Sequence, residues 1–312
     1  MKTSLYNLRK FWIIFPVIPL LFVLSEKAHA CRVPVFYYAL FEWPSDPHTL
    51  DLGTLVKGIK AASIKDQIDH SSANLQIDSA ATSTSVPADH VQIRFSKTNQ
   101  LWWDAPLPGD DPKKGLDLLM DSPVRQNIVR QLASGVSVVW VLLESGDKKA
   151  DDAAFSQLAN RLSYLQKVID IPPPADNGGN DGESGPDPLN VPVPLRIAFH
   201  AVRVSRNDPK EVGLVAQLVN LMPELLSVKS PIAYPVFGRA LVMQPIYGKK
   251  FNDLNIDVRT QFAAGACSCQ VKDQNPGVDL LVAADWDSLF ESVNKNKIRS
   301  SPEKTNSTNP VP

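Results

Sequence analysis

Three cysteines are the side chains in this sequence with the clearest capacity for chemistry. Cys267 and Cys269 are separated by one residue, and Cys31 lies far from them in the chain. Because cysteine spacing alone does not fix connectivity, three interpretations stay open. Cys31 forms a structural disulfide with one of the pair, or Cys267 and Cys269 form a strained bond suited to thiol exchange. In the third interpretation, these two thiolates hold a soft metal such as Cu(I).

Other reactive patterns are weak. The sequence around Ser145 is not a nucleophile elbow, and no phosphate-binding or dinucleotide-binding glycine motif occurs. Acidic residues follow two predicted strands, at Glu144, Asp147, Asp285 and Asp287. Ligands often bind at such strand ends, but capping of the following helices explains these residues more simply. We therefore assign no catalytic residue and no resident cofactor, and the sequence favours a protein without enzymatic activity.

The first thirty residues predict a cleaved secretory signal. Three basic residues precede the apolar run 11–24, and Ala28 and Ala30 give the small-x-small pattern that signal peptidase accepts. The run is shorter than the roughly 20 residues that a membrane-spanning helix needs. We expect the mature chain to begin at Cys31 and to work outside the cytoplasm, in an oxidising periplasm. A lipid anchor on Cys31 is the alternative at this position.

Composition excludes several classes of partner. Residues 1–30 hold four basic residues and one acidic residue, so the net charge changes from −1 for the whole chain to −4 for the mature one. Without a basic block, a nucleic-acid partner is not expected. After Leu24, the longest apolar run, 136–143, has the length of a strand, so the mature chain is expected to contain no transmembrane helix.

The clearest break in the chain is a stretch rich in proline, glycine and aspartate. It covers residues 172–192, begins with three consecutive prolines and contains few apolar residues. Such a segment buries too little apolar surface to offset its ordering entropy. We interpret it as a linker between domains at 31–171 and 193–299, followed by a disordered polar tail at 300–312.

Hydrophobic periodicity predicts alternating strands and helices on both sides of this linker. Before it, we expect strands at 33–40, from 75 and at 136–143, a hairpin over 91–105, and helices over 52–68, 123–134 and 155–169. After it, we expect strands at 195–204 and 278–284, a hairpin over 232–247, and helices from 209, over 251–264 and from 286. Alternation in the first hairpin predicts that one of Trp102 and Trp103 points inward.

Strand, helix, strand, hairpin, helix is the element order of the thioredoxin-like fold. We therefore predict an α/β protein with two tandem thioredoxin-like halves, each a mixed sheet flanked by helices, joined by the Pro/Gly/Asp-rich linker. Pro87 and Pro231 or Pro235 stand near the place where that fold has a cis-proline. Active thioredoxins have Cys-x-x-Cys after the first strand, whereas the expected corners at 42–45 and 205–208 contain no cysteine.

Four stretches resemble a group of exported bacterial proteins of unknown function. They are Cys31-Arg32-Val33-Pro34-Val35-Phe36, Trp140-Val141-Leu142-Leu143-Glu144-Ser145-Gly146-Asp147, Tyr234-Pro235-Val236-Phe237-Gly238-Arg239 and Cys267-Ser268-Cys269-Gln270-Val271-Lys272. The resemblance covers most of the mature chain. It implies secretion and a folded body of degenerate thioredoxin-like character, but no reaction.

These observations predict a non-catalytic binding or assembly module of the cell envelope. Its partner is expected to be another envelope protein, which the sequence does not identify. Such a module needs an exposed groove or an apolar patch on its surface. The alternative function is that of a thiol–disulfide oxidoreductase, or of a copper-handling protein, which would use Cys267 and Cys269.

Overall fold

A computed structural model describes residues 33–53, 61–78, 86–87, 89–95, 97–171, 193, 195–266 and 271–291. The helices of these residues are α1 (Val35–Glu42), α2 (Ala61–Ser71), α3 (Pro112–Met120), α4 (Pro123–Ala133), α5 (Lys148–Val168), α6 (Val212–Val219), α7 (Asp253–Ala264) and α8 (286–291). The strands are β1 (His48–Asp51), β2 (Leu75–Ile77), β3 (Val91–Arg94), β4 (Leu101–Ala105), β5 (Val138–Leu143), β6 (Phe199–Val204), β7 (Ile232–Phe237), β8 (Leu241–Val242), β9 (Ile246–Tyr247) and β10 (Val278–Asp279).

Side-chain caps start several helices at the residues that the sequence indicates. The hydroxyl of Ser122 accepts a hydrogen bond from Arg125 N at 3.3 Å, and proline follows it in the first turn of α4. The carboxylate of Asp208 accepts from Lys210 N at 2.9 Å, before a 3-10 turn that leads into α6. These oxygens satisfy main-chain N–H groups that have no partner inside the helix. The caps are local, which explains why sequence alone predicts them.

The strands form two mixed sheets. One has the order β2-β1-β3-β4, in which β1 and β2 are parallel and the other pairs are antiparallel. The larger sheet has the order β10-β8-β7-β5-β6, and β9 also pairs with β7. Here β5 and β6 are parallel, while β7 is antiparallel to both β5 and β8. The expected α/β class, with mixed sheets flanked by helices, is confirmed.

The two sheets share one topology. The chain series β1, α2, β2, β3, β4, α3 builds the smaller sheet, and the series β5, α5, β6, α6, β7, β8, α7 builds the core of the larger one. If the strands of each series are numbered along the chain, their spatial order in both sheets is second, first, third, fourth. The first two strands are parallel and the later pairs are antiparallel in both.

The strand pairing does not follow the predicted domain boundary. Strand β5 precedes residues 172–192, yet it pairs with β6 and β7, which come after them. The expectation of one complete sheet on each side of 172–192 is therefore wrong, and all described residues belong to one compact unit. Parallel strands are joined by a long connection, and so are two domains. The composition of residues 172–192 therefore does not show whether they join two strands of one sheet or two domains.

Helices cover both faces of the larger sheet. Its central strand β5 is completely buried, and its side chains alternate between two hydrophobic clusters. Val139, Val141 and Leu143 pack with residues of α4 and α6. Val138, Trp140 and Leu142 pack with residues of α1, α5 and α7. A third cluster joins the smaller sheet to α2 and α3 and includes Leu281 from the segment after β10.

Main-chain hydrogen bonds join the edges of the two sheets. Residues 72–74, directly before β2, run antiparallel to residues 282–284, which follow β10, and Ala73 and Ala283 form a β-bridge. Asn74 N donates to Val282 O at 3.3 Å, and Ala284 N donates to Ser72 O at 3.1 Å. We call these two segments the seam. The seam thus links the edge of the smaller sheet to the chain that follows β10.

The segment 33–40 is the main error among the predicted elements. Residues Val35–Glu42 form helix α1 instead of a buried strand. The helix buries Val35, Phe36 and Ala39 against the larger sheet. A short, wholly apolar run shows neither helical nor strand periodicity, so tertiary packing determines whether it forms a helix or a strand.

Smaller differences concern elements with weak sequence signals. No element was predicted for α3, and β1 had no predicted strand. Strand β10 is shorter than the predicted strand 278–284, although residues 280–284 stay bonded to neighbouring segments. The described peptide bonds, including those before Pro87, Pro231 and Pro235, are trans, so none of these prolines has the cis bond of the thioredoxin-like fold.

Separate expression of residues 31–171 and 193–312 tests this arrangement. We expect neither fragment to fold alone, because the cut removes β6 and β7 from β5 and removes the central strand from the second fragment. The measurement is the dispersion of amide resonances of each fragment and of the two mixed together. Two separately well-dispersed spectra would contradict the pairing described here, whereas dispersion only in the mixture would agree with it.

Candidate functional site

The three cysteines singled out by the sequence lie outside the described residues. Cys31 precedes the first described residue, and Cys267 and Cys269 fall between Ala266 and Val271. The described residues Pro34 and Ala266, close to Cys31 and Cys267 in the chain, are paired with each other. Pro34 and Ala266 form an antiparallel β-bridge, and Val35 N donates a hydrogen bond to Gly265 O at 2.9 Å.

The corner between β5 and α5 is the place where a thioredoxin-like unit would carry its reactive group. Residues 144–147 form this corner, and their loop is held by the buried carboxylate of Asp151. Its Oδ1 accepts from the amide and the hydroxyl of Ser145 at 2.7 and 2.8 Å, and its Oδ2 accepts from Gly146 N at 3.1 Å. Two main-chain donors that could bind a ligand here, the amides of Ser145 and Gly146, are already used inside the protein.

Two arginines occupy the neighbouring end of β6. Arg203 donates to Glu144 Oε1 at 2.5 Å and to Asp152 Oδ1 at 2.7 Å. Arg206 donates through Nε to Glu144 O at 2.8 Å. The bonds from Lys148 and Arg203 hold the pKa of Asp152 below its usual range. This end of the parallel strands is therefore a set of satisfied ion pairs, which stabilise the corner.

The acidic residues after predicted strands are mostly caps, as the sequence favours. Asp147 accepts from Lys149 N and Ala150 N at the start of α5. Asp285 accepts from the amide and the hydroxyl of Ser288 at the start of α8. Within the part of the chain that the structure describes, no group of three or more potential metal-binding side chains occurs.

A cavity of about 350 Å³ opens at the seam. Its walls come from the segment before β1, from both seam segments, from the turn between β7 and β8, and from the start of α8. The residues that line it are Pro44, Ser45, Ser72, Ala73, Asn74, Arg239, Val282, Ala284, Asp285, Trp286 and Asp287. We call this the seam cavity. Its volume lies at the lower end of the range typical of small-ligand sites.

The charged groups of the seam cavity leave a net negative charge. Arg239 donates to Leu40 O at 2.8 Å and to Asp287 Oδ1 at 3.2 Å, so its charge is balanced by Asp287. Asp285 has no cationic partner among the described residues. Hydrogen bonds from Ser288 hold the pKa of Asp285 below its usual range, so this carboxylate is ionised at neutral pH.

A half-buried asparagine and a buried glutamine bond to the main chain beside the seam cavity. Asn74 donates to Asp46 O and Leu280 O at 2.9 and 3.1 Å, and its Oδ1 accepts from Val282 N at 2.8 Å. Gln217, on α6, accepts from Leu281 N at 3.2 Å. These amides complete main-chain hydrogen bonding where the two sheets leave strand edges without a full partner.

A buried histidine lies next to these amides. Trp102 Nε1 donates to Nδ1 of His48 at 3.1 Å, and Nε2 of His48 lies 3.1 Å from Asp279 O. A neutral ring that accepts at Nδ1 carries its proton on Nε2, where it donates to Asp279 O. Burial lowers the pKa of His48 to about 4, in agreement with this neutral form. Trp102 is buried and Trp103 half-buried, which confirms the predicted alternation.

One ionic cluster holds the segment before β1. Lys272 Nζ lies 2.5 Å from Asp279 Oδ2 and 3.1 Å from Asp46 Oδ1, and it donates to Pro44 O at 2.6 Å. Asp46 N also donates to Asp279 Oδ2, at 2.7 Å. Asp279 is 5 % exposed. Its burial raises its pKa to about 6 despite the nearby lysine.

Sequence reasoning missed the polar residues of this region. His48, Gln217 and Asp279 are all buried, and none of them was singled out. Gln217 and Asp279 did carry a signal, since each is a polar residue inside an apolar run, Val-Gly-Leu-Val-Ala-Gln-Leu-Val or Val-Asp-Leu-Leu-Val. Such residues are rarely buried without a partner.

Comparison of the chain with protein-family models, with curated proteins and with solved structures finds no match. No helix among the residues that the structure describes combines the length and apolar character needed to cross a membrane.

Replacement Asp151→Asn tests the corner between β5 and α5. We expect a loss of about 2–3 kcal/mol in the free energy of unfolding, because an amide cannot accept all three hydrogen bonds and presents its own donors instead. Urea denaturation measures this loss. The matched control is Asp152→Asn on the exposed side of the same turn, where solvent screens the ion pairs and the loss should be clearly smaller. Equal losses in the two variants would contradict the role given to Asp151.

Proposed function

We propose that this protein is an exported, non-catalytic binding or assembly module of the cell envelope, built from two thioredoxin-like units. The units are residues 48–120 and 138–264, so α4 stands between them and the stretch 172–192 belongs to the second. The observation that carries the proposal is the seam cavity, which lies where the outer strands of the two units meet.

The shared topology supports two thioredoxin-like units. Each sheet has a parallel pair at one side and an antiparallel pair at the other, with a helix between the first two strands and another after the fourth. This is the order that the sequence suggested, with different boundaries. Fold likeness alone implies no activity, so function has to be argued from the sites.

The corners of these units support a role without thiol catalysis. The three cysteines of the chain are at 31, 267 and 269, so no cysteine lies in the corner directly after β1 or directly after β5. At the β5 corner, Asp151 also uses the main-chain donors that would stabilise a reacting group. This corner therefore lacks the cysteine of active thioredoxins, and its Ser145 and Gly146 N–H groups are not free to stabilise a thiolate.

The seam cavity suits a short peptide segment that carries a basic side chain. Asp285 offers an ionised carboxylate without a cationic partner among the described residues, while Trp286 and Pro44 offer apolar surface for the side-chain stem. An acidic peptide would meet net negative charge and lose affinity. The expected partner is thus an envelope protein that presents lysine or arginine in an accessible segment.

Location in the envelope rests on the predicted signal at residues 1–30, which lie outside the described residues. A cleaved signal places the mature chain in an oxidising compartment, where a structural disulfide is stable. Lipidation of Cys31 is the alternative fate of the new N-terminus.

A structural disulfide between Cys31 and one member of the Cys267–Cys269 pair forms part of the proposal. The support is the bridge between Pro34 and Ala266, since these residues stand three positions after Cys31 and one before Cys267. The bridge brings together the described residues nearest to both groups of cysteines, so a disulfide there would close a short span of chain.

A panel of six-residue peptides tests the binding site. We expect peptides with lysine or arginine to perturb amide resonances of residues 45, 72–74 and 284–287, and acidic or neutral peptides to have no effect. The variant Asp285→Asn keeps a capping side chain but removes the charge, and should weaken binding about tenfold.

The matched control for this experiment is Asp273→Asn, which removes an exposed carboxylate outside the cavity. It should bind like the unmodified chain. Binding that is indifferent to peptide charge, or perturbations that cluster away from the cavity, would contradict the proposed site.

Disulfide mapping separates the module from the alternative function. We expect mass spectrometry of protein from its native compartment to show an N-terminus at Cys31 and a bond from Cys31 to Cys269 or Cys267. Its reduction potential should lie well below the glutathione range. A labile Cys267–Cys269 bond, or bound copper, would instead favour the oxidoreductase or copper-handling function. The same mass shows whether Cys31 carries a lipid.

A further inference from the structure

A constrained turn brings Arg239 to the wall of the seam cavity. Arg239 lies between Gly238 and Ala240, in the turn that joins β7 to β8. Both neighbours have a positive φ, 57° at Gly238 and 67° at Ala240. A Cβ atom at position 238 would lie 2.6 Å from the Cβ of Ala39, so glycine is required there. The left-handed backbone of the buried alanine is unfavourable, and strain of this kind is common where a protein holds a binding residue in place.

Contacts of Arg239 itself also fix its position. The main-chain oxygen of Arg239 accepts a hydrogen bond from the hydroxyl of Ser45 at 3.2 Å. Its Nε donates to Leu40 O at 2.8 Å, and its guanidinium carbon lies 5.7 Å from the ring centroid of Phe290. The guanidinium is therefore held at the cavity wall before a ligand arrives, which lowers the entropic cost of binding.

Arg239 has hydrogen-bonding capacity that the protein does not use. Its Nε bonds to Leu40 O and its Nη2 bonds to Asp287 Oδ1, whereas Nη1 has no hydrogen-bond partner among the described residues. The side chain of Asp287 is 83 % exposed, so solvent screens its ion pair with Arg239. A carboxylate that enters the cavity can bind Nη1 and replace Asp287 at Nη2, in the bidentate geometry that a guanidinium favours.

Asp285 gives the same cavity a charge of the opposite sign. Arg239 and Asp285 both line a space of about 350 Å³, so a ligand that fills this space meets both charges. A basic side chain alone would satisfy Asp285 but would leave its own charge near the cation of Arg239. A ligand that carries a carboxylate close to its basic group complements both residues.

We propose that the seam cavity binds the C-terminal residue of a partner protein, and that this residue is lysine or arginine. Asp285 receives the side-chain cation, and Arg239 receives the terminal α-carboxylate. This inference rests on the proposed function in treating the seam cavity as the peptide site, and it adds which part of the peptide enters. A basic C-terminal residue carries both charges within one amino acid, which suits a cavity at the lower end of the size range of small-ligand sites.

Two hexapeptides of the same sequence test this assignment. Both end in lysine, one with a free α-carboxylate and the other with a carboxamide, and calorimetric titration measures their affinities for the unmodified mature chain. We expect the free acid to bind about tenfold more tightly, because only its terminal group forms charge-assisted hydrogen bonds with Arg239. Equal affinities would overturn this inference and leave the proposed function intact, whereas failure of both peptides to bind would contradict both.

Free lysine distinguishes a protein terminus from a single amino acid as the ligand. It has the same carboxylate and side chain, but it lacks the preceding residues and carries an additional ammonium. We expect it to bind more weakly than the free-acid peptide. An equal or higher affinity for free lysine would overturn the assignment to a partner protein.

Two substitutions should change the ratio of the free-acid affinity to the amide affinity in opposite directions. Arg239→Gln should bring the ratio close to one, because the carboxylate loses its cation. Asp287→Asn should increase the ratio, because it removes the carboxylate that competes for Arg239. Both peptides are compared on the same variant, so a general loss of stability does not change the ratio.

The control Asp273→Asn, outside the cavity, should leave the ratio unchanged. A preference for the free acid that survives Arg239→Gln, or one that does not increase in Asp287→Asn, would contradict the role given to Arg239. Asp287 is an exposed side chain, so its variant decides the question even if Arg239→Gln does not fold.

Discussion

The antiparallel pairing of residues 72–74 with residues 282–284 is the constraint on which the rest of the structure depends. Each sheet has a strand edge whose main-chain groups need partners, and an exposed edge of this kind is a template for unwanted pairing. Joining the two edges satisfies both and fixes the distance between the two units. The cavity, the buried histidine and the ionic cluster are all found beside this contact.

Imperfect pairing at the seam explains why polar side chains are buried there. The two segments bond for only a few residues, so neighbouring main-chain groups must be completed by Asn74 and Gln217. Each amide offers a donor and an acceptor, as a strand residue does. Asp279 brings a carboxylate into the same dry region, and Lys272 and the amide of Asp46 make that burial tolerable. The chemistry of the region is therefore a by-product of closing two sheet edges.

Sequence reasoning succeeded where the determining interactions are local. The caps at Ser122 and Asp208 and the alternation of Trp102 and Trp103 are fixed by neighbours within a few residues. Assignment failed for α1, because an apolar segment buried by other elements takes its conformation from them.

The candidate site escaped sequence reasoning for the same reason. Asp46, Asp279 and Asn74 become neighbours only after the segment that follows β10 pairs with residues 72–74 at the edge of the smaller sheet. The predicted domain boundary at 172–192 separated β5 from its partners β6 and β7. Composition shows that this segment buries little apolar surface, but it does not show which strands pair on either side of it. Long-range pairing is the information that a pattern of hydrophobicity does not contain.

The order of the strands along the chain has a consequence for biogenesis. Every other described strand is made before residues 278–284, which supply the last partner of the smaller sheet. Because the chain is synthesised from its N-terminus, the strand edge at residues 72–74 stays uncovered until residues 282–284 have been made. Completion of the native state is thereby delayed to the end of synthesis, and until then the waiting edge is a site at which the unfinished chain can pair wrongly or aggregate.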